Sequence, residues 1–150
     1  MDQQLKTADA YLKMKRIFDL LLALTATGLL LLPILVTAVL VKLTSKGPAL
    51  YWSDRVGRDN KIFKMPKFRS MKVDTPAVAT HLLSEPESVL TPVGGFLRKS
   101  SLDELPQVWS ILKGDMSFVG PRPERPEFVE GVCQDIPFYN ERHRVKPGLM

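Results

Sequence analysis

Between Asp19 and Lys42 the chain carries no charged residue, reading LLLALTATGLLLLPILVTAVLV from Leu20 to Val41. About 22 uncharged residues is the length of a membrane helix. A core helix in a water-soluble protein would keep a polar stripe, and this run is apolar on every side. A secretory signal has a shorter apolar core and a small-residue cleavage site. This run leads instead into Lys42, Leu43 and Lys46.

Pro33 interrupts the run. It removes one helical hydrogen bond and crowds the preceding turn. The two arms, Leu20–Leu32 and Ile34–Val41, reach roughly 20 Å and 12 Å at 1.5 Å per residue. Neither alone crosses a hydrocarbon core of about 30 Å, whereas both together do. Cations flank both ends: Lys6, Lys13, Lys15 and Arg16 before, then Lys42, Lys46, Arg55 and Arg58 after. Placing both flanks on one face favours a helix that enters, bends at Pro33 and leaves by the same side. A kinked span remains the competing reading.

The net charge of +5 over 150 residues calls for an anionic partner: headgroups, nucleic acid or a phosphate-bearing substrate. A single cysteine, Cys133, excludes an internal disulfide. With only His81 and His143 beside it, that cysteine does not make an ordinary closed zinc site.

After the apolar run, Ala49–Val56 and Lys61–Met71 flank the turn-like GRDN and predict a β-hairpin. Ile62, Phe63, Met65 and Phe68 are expected to face a core or the membrane interface, with Lys61, Lys64, Lys67, Arg69 and Lys72 elsewhere. Such cations gain on the order of 1 kcal/mol each near anionic lipid, and arginine grips phosphate through paired hydrogen bonds. No nucleic-acid-binding motif accompanies the charge, so a membrane or phosphate partner is preferred over DNA or RNA. Val73–Thr91 reads as a connection with a short helix near Val78–Leu83.

Thr91-Pro92 has the pattern of an N-cap and first helical residue, opening a short helix through Arg98. The chain restarts at SSLDELPQVW, where Ser101 and Glu104 fit a capping box and Asp103 suits the helix dipole. Leu102, Leu105, Val108, Trp109 and Leu112 recur at spacings expected to put them on one buried face. Pro106 disturbs this, so either the first turn is irregular or the regular helix starts later. Both carboxylates then sit at an unusual helix start beside Arg98 and Lys99. One acid could attack phosphorus there while its neighbour holds a divalent metal. Lys113-Gly114 closes the helix, Gly120–Pro123 fixes where Arg122 points, and Pro126 opens a further helix.

Three stretches together, RVGRDNKIFKMPKFRSM, SLDELPQVWSILKGDMSFVGPRPE and RHRVKPG, resemble the bacterial sugar transferase family of monotopic polyprenyl-phosphate phosphoglycosyl transferases, in its minimal form. The resemblance runs in order from about Lys15 onward, and the apolar block falls where that family has its re-entrant helix. It implies a mainly α, α+β fold: residues 1–46 a membrane-embedded re-entrant helix, residues 47–150 a small catalytic domain on the cytoplasmic side of a bacterial membrane. It implies that Asp103 attacks a UDP-sugar, releasing UMP, and that polyprenyl phosphate then takes the phosphosugar. Glu104 would associate with Mg2+, while Arg98, Arg122, Lys67 and Arg69 would neutralise phosphate or nucleotide charge. Membrane lipid, a second copy of the chain and later glycosyltransferases are the implied partners. The family pattern continues past KPG, so a chain ending at Met150 is expected to be C-terminally short. A membrane-bound module that binds lipid phosphate or a partner protein without turnover is the alternative.

Overall fold

The computed structural model describes residues 2–75 and 87–150. The short helix expected at Val78–Leu83, and His81 within it, lie outside the described residues. The fold is mainly helical with one small sheet. Helix α1 spans Asp2–Thr44, followed by strand β1 (Leu50–Val56), a 3-10 turn (Arg58–Asn60) and strand β2 (Ile62–Phe68). Helix α2 is Gly94–Lys99, a 3-10 segment Leu102–Gln107 precedes α3 (Val108–Lys113), and α4 is Pro126–Asp135 before a last 3-10 turn, Tyr139–Arg144.

Helical geometry in α1 continues through Pro33. The proline therefore does not end the helix, and a re-entrant path requires a bend within a helix rather than a loop between two. Leu29, Leu32 and Leu43 are more than two-thirds exposed, as is Met14. Only 11% of the most apolar window of Asp9–Thr44 is buried, which excludes an ordinary core helix. So much exposed hydrocarbon on one long helix suggests membrane association.

The hairpin forms as expected. Its reversal places Asp59 and Asn60 at φ 56° and 58°, left-handed values that Asp and Asn tolerate better than other side chains. The backbone closes with Gly57 N–H donating to the Lys61 carbonyl at 2.8 Å. Pro66 sits inside β2, which a two-stranded sheet allows because each strand has an edge where no N–H is needed. Phe63, Met65 and Phe68 are buried, and Ile62 is 61% exposed. Alternation explains it: Phe63 and Met65 share the inward face, so their neighbour Ile62 must point out.

The chain divides into two compact units. The first comprises Met1–Leu29, Asp54–Met65 and Val108–Met150. Its core joins Ala23 of α1 to Phe63, Met65, Ile111 and Met116. Polar ties reinforce it. Arg16 donates to the Ile111 and Leu112 carbonyls at 2.6 and 2.7 Å, a cationic cap on the last turn of α3. Buried Asp19 accepts the Phe118 N–H at 3.2 Å and pairs with Lys15 at 3.5 Å. His143, buried in the last 3-10 turn, bonds Asn60 at 2.6 Å and so holds the hairpin reversal.

The second unit comprises Leu30–Ser53 and Pro66–Gln107. Ile34, Ala38 and Val41 of α1 pack with Phe68, Leu97, Leu102 and Leu105. Spacings of four and three residues place the α1 trio on one stripe. Helix α2 starts at Gly94, and the expected Thr91 cap does not form: the Thr91 hydroxyl donates to the Ser70 carbonyl instead. Gly94 is required by proximity, since a Cβ there would stand 2.0 Å from that same Ser70 oxygen. This close approach fixes α2 against the chain that follows β2.

Candidate active site

The paired acids lie in the second unit, on the 3-10 segment Leu102–Gln107. Pro106 explains why this turn is not α-helical: it lacks an N–H and biases Leu105 away from helical angles. Regular α-helix begins only at Val108. The capping box expected of Ser101 and Glu104 is not what forms. Ser101 adopts φ 57°, a left-handed angle far from the extended backbone of an N-cap residue. Its carbonyl accepts the Glu104 N–H at 3.1 Å, while the Glu104 carboxylate turns to Lys67.

That pairing organises the site. Lys67 Nζ donates to Glu104 Oε1 at 2.6 Å, with both side chains partly buried. Phe68 packs in the core of the second unit, and alternation turns its neighbour Lys67 to the other face of β2. Asp103 beside them is buried. Burial pushes its carboxyl above the usual aspartate range; Lys67 pulls it back, Glu104 pushes it up, and Arg98 and its own backbone N–H pull it down. The carboxylate is thus costly to charge yet flanked by two cations that favour the charge.

Arg98 reaches this group from the last turn of α2, its Nε donating to Ser70 Oγ at 3.1 Å. Ser70 was not singled out by sequence reasoning. Nothing marks it within KFRSM, and its part emerges only when β2 and α2 come together. Of the expected phosphate-binding residues, Lys67 and Arg98 thus gather at the dyad. Arg69 is engaged otherwise, its Nε donating to the Pro48 carbonyl at 2.9 Å and its guanidinium lying 6.0 Å from the Tyr51 ring centre. Arg122 belongs to the first unit, where its carbonyl accepts Arg142 at 2.9 Å.

Among the described residues no group of three or more acidic, histidine or cysteine side chains gathers as a metal cage. Mg2+ rarely uses one. It is commonly held by one or two carboxylates, with substrate phosphates and water completing its octahedron. Adjacent Asp103 and Glu104 supply hard oxygen donors of that kind, so the site fits the ion.

A carboxylate nucleophile candidate and a second acid on one irregular turn, with cations brought to them from β2 and α2, make a grouping that suits phosphoryl transfer. Residues 10–150 match the family described as bacterial sugar transferase, and the chain belongs to that family. It is 43% identical over 93% of its length to the UDP-N-acetylgalactosamine-undecaprenyl-phosphate N-acetylgalactosaminephosphotransferase of Aeromonas hydrophila, covering 33% of that protein. It is 42% identical over 91% of its length to a Bacillus subtilis (strain 168) protein named as a putative undecaprenyl-phosphate N-acetylgalactosaminyl 1-phosphate transferase, covering 76% of it. The UDP-glucose:undecaprenyl-phosphate glucose-1-phosphate transferase of Escherichia coli K12 is 44% identical over 91% of the chain, which spans 29% of that relative. The chain thus spans a third or less of two of these relatives and most of the third.

Proposed function

We propose that this chain is a phosphoglycosyl transferase moving a sugar 1-phosphate from a UDP-sugar to undecaprenyl phosphate, the first step of a surface polysaccharide. The observation carrying this reading is the buried Asp103 carboxylate set beside the Lys67–Glu104 pair and Arg98. An Asp103 carboxylate oxygen attacks the sugar-bearing phosphorus. The bond from that phosphorus to the bridging oxygen breaks, and UMP leaves with the electron pair. An oxygen of the lipid phosphate then attacks the same phosphorus and frees Asp103, giving a lipid diphosphate sugar. Two displacements divide one difficult transfer into two easier ones.

Desolvation makes the ionised carboxylate a better nucleophile than an exposed aspartate, and Lys67 and Arg98 keep ionisation accessible. Both cations also stand ready to take up phosphate charge as it develops. Arg122 and Arg69 are the further candidates for diphosphate or nucleotide contact. Glu104, with Asp103, would hold Mg2+, which supplies charge neutralisation at the diphosphate when bound. The printed names of the relatives include N-acetylgalactosamine and glucose donors, so the sugar is left as a class.

Incubation of the full chain with a panel of UDP-sugars, undecaprenyl phosphate and Mg2+ is expected to release UMP with at least one donor. Stable membrane association with no UMP from any donor would favour the non-catalytic, phosphate-binding module instead.

The transferase reading puts the catalytic part at the cytoplasmic face, with α1 entering and leaving by that face through a bend at Pro33. Cations on both flanks of the apolar run support this topology. Cysteines placed at Asp9 and Lys46 in a Cys133→Ser background are both expected to react with an impermeant reagent only after the inner face is opened. Labelling of the two from opposite faces would establish a span.

A further inference from the structure

A second set of cations lies wholly within the first unit and shares no residue with the dyad site. Arg16 reaches the end of α3 from α1 and holds the Ile111 and Leu112 carbonyls. Lys146 arrives from the opposite end of the sequence, on a segment fixed by backbone bonds. Ser117 N–H donates to the Pro147 carbonyl at 2.9 Å, and Gly148 N–H to the Pro121 carbonyl at 2.9 Å. Gly120 and Gly148 allow this approach, since a Cβ on Gly148 would stand 2.1 Å from the Gly120 nitrogen.

The two cations converge over Gly114, whose φ of +100° ends α3. A Cβ there would lie 3.3 Å from Arg16 Nη2 and 3.5 Å from Lys146 Nζ. Arg58, on the hairpin reversal, adds a third positive charge felt at Lys146. Two acids stand nearby and act on Lys146 as well as on their own lysines: Asp19 pairs with Lys15, and Asp115 pairs with Lys113 at 3.0 Å. Arg58 pairs with the exposed Asp59 at 3.5 Å, a contact worth little. Among the described residues the half-buried Lys146 ammonium has neither a hydrogen bond nor an ion pair within 4 Å. Burial, with Arg16 and Arg58 adding to it and Asp19 and Asp115 opposing it more weakly, pushes Lys146 below the usual lysine range. A partly desolvated ammonium facing like charge is an arrangement that an anion would relieve.

We propose that Lys146, Arg58 and Arg16 form a binding site for a phosphate ester, one that shares no residue with the dyad site. Arg16 stands four residues before the uncharged run from Leu20, the level at which headgroups begin when that run enters a bilayer. An anionic lipid headgroup and a soluble phosphate ester offer the same chemistry here. The site does not depend on the transferase reading.

The test uses the full chain in neutral detergent, with phosphatidic acid or phosphatidylcholine of identical acyl chains, read as retained lipid by native mass spectrometry. The wild type is expected to prefer phosphatidic acid by about five-fold or more, the scale of one charge-assisted contact. Lys146→Met should erase this preference and Arg58→Ala should weaken it, while Lys61→Met, an exposed hairpin cation, should leave it intact. Should Lys146→Met fail to fold, the exposed Arg58 carries the test alone. An unchanged preference in each folded variant overturns the proposal. Millimolar glycerol 3-phosphate separates the sources: displacement of the lipid from the wild type assigns the site to soluble phosphate esters, and Lys146-dependent lipid retention without displacement assigns it to headgroups.

Discussion

Asp103→Asn is expected to reduce UMP release by about 10³-fold or more, the usual consequence of removing a covalent nucleophile. The same variant should melt no lower than the wild type at neutral pH. Burial raises the Asp103 carboxyl above its ordinary value, so the charged form is disfavoured in the folded chain. Below the unfolded value, folded and unfolded chains both hold the proton and the full stabilising contribution is present. As pH rises, the unfolded chain releases the proton first, and stability falls until the folded carboxyl ionises as well. At neutral pH the wild type therefore carries a cost that asparagine, nearly isosteric and uncharged, does not. Parallel thermal melts and UMP assays check both halves. Peptide mass analysis of the wild type with UDP-sugar alone should show the phosphosugar on the fragment containing Asp103. Near-normal UMP release by Asp103→Asn would dismiss the nucleophile assignment.

How much of this was legible in the sequence depends on range. Local signals were read well: the hairpin around GRDN, the helix ending at Gly114 and the one opening at Pro126 all form where those residues dictate. Pro106 announced an irregular start, and a 3-10 turn is what it makes. The capping box failed because its match was local while the outcome was not. Glu104 had two possible partners, and the long-range one, Lys67, 37 positions earlier in sequence, won. Ser101, left without that reciprocal bond, took a left-handed angle closed to any N-cap. Thr91 failed for a similar reason, its hydroxyl drawn to Ser70 once Gly94 let the chains approach.

Asp19 shows a different limit. On the page it merely bounds the uncharged run, and the i, i+4 spacing to Lys15 suggests an ordinary surface pair. In the fold it is buried and receives the Phe118 N–H, so a residue at the edge of the apolar block anchors the segment after α3. No periodicity could have shown this, because the partner is a backbone group 99 residues away. The candidate site has the same character: residue types and the dyad were readable, but their grouping was not. Lys67 and Arg69 looked equivalent in KFR, yet one meets Glu104 and the other meets Pro48 and Tyr51.

That difference makes Lys67 the second large prediction. Lys67→Met should lower kcat/KM by about 10²-fold, the scale for deleting one charge that stabilises a phosphoryl-transfer transition state. Loss of activity alone would also follow from a damaged fold, so the pH profile is the informative readout. Among the neighbouring charges Lys67 is the strongest influence holding Asp103 down, while Glu104 pushes it up. Without Lys67 the larger of the downward pulls from charge disappears, and only Arg98 and the backbone hydrogen bond are left to oppose burial and the repulsion from Glu104. The acid limb of the activity profile should therefore move to higher pH, because more hydroxide is needed to ionise the nucleophile. Lys67→Arg keeps a cation on the same face of β2 and should restore most of that displacement even where it restores little rate. Arg69→Met should leave the limb where it is, since its guanidinium is committed to the Pro48 carbonyl. An acid limb unmoved in Lys67→Met would mean that the ion pair with Glu104 only positions the turn, and that Asp103 draws its charge stabilisation from Arg98 and the substrate's own environment.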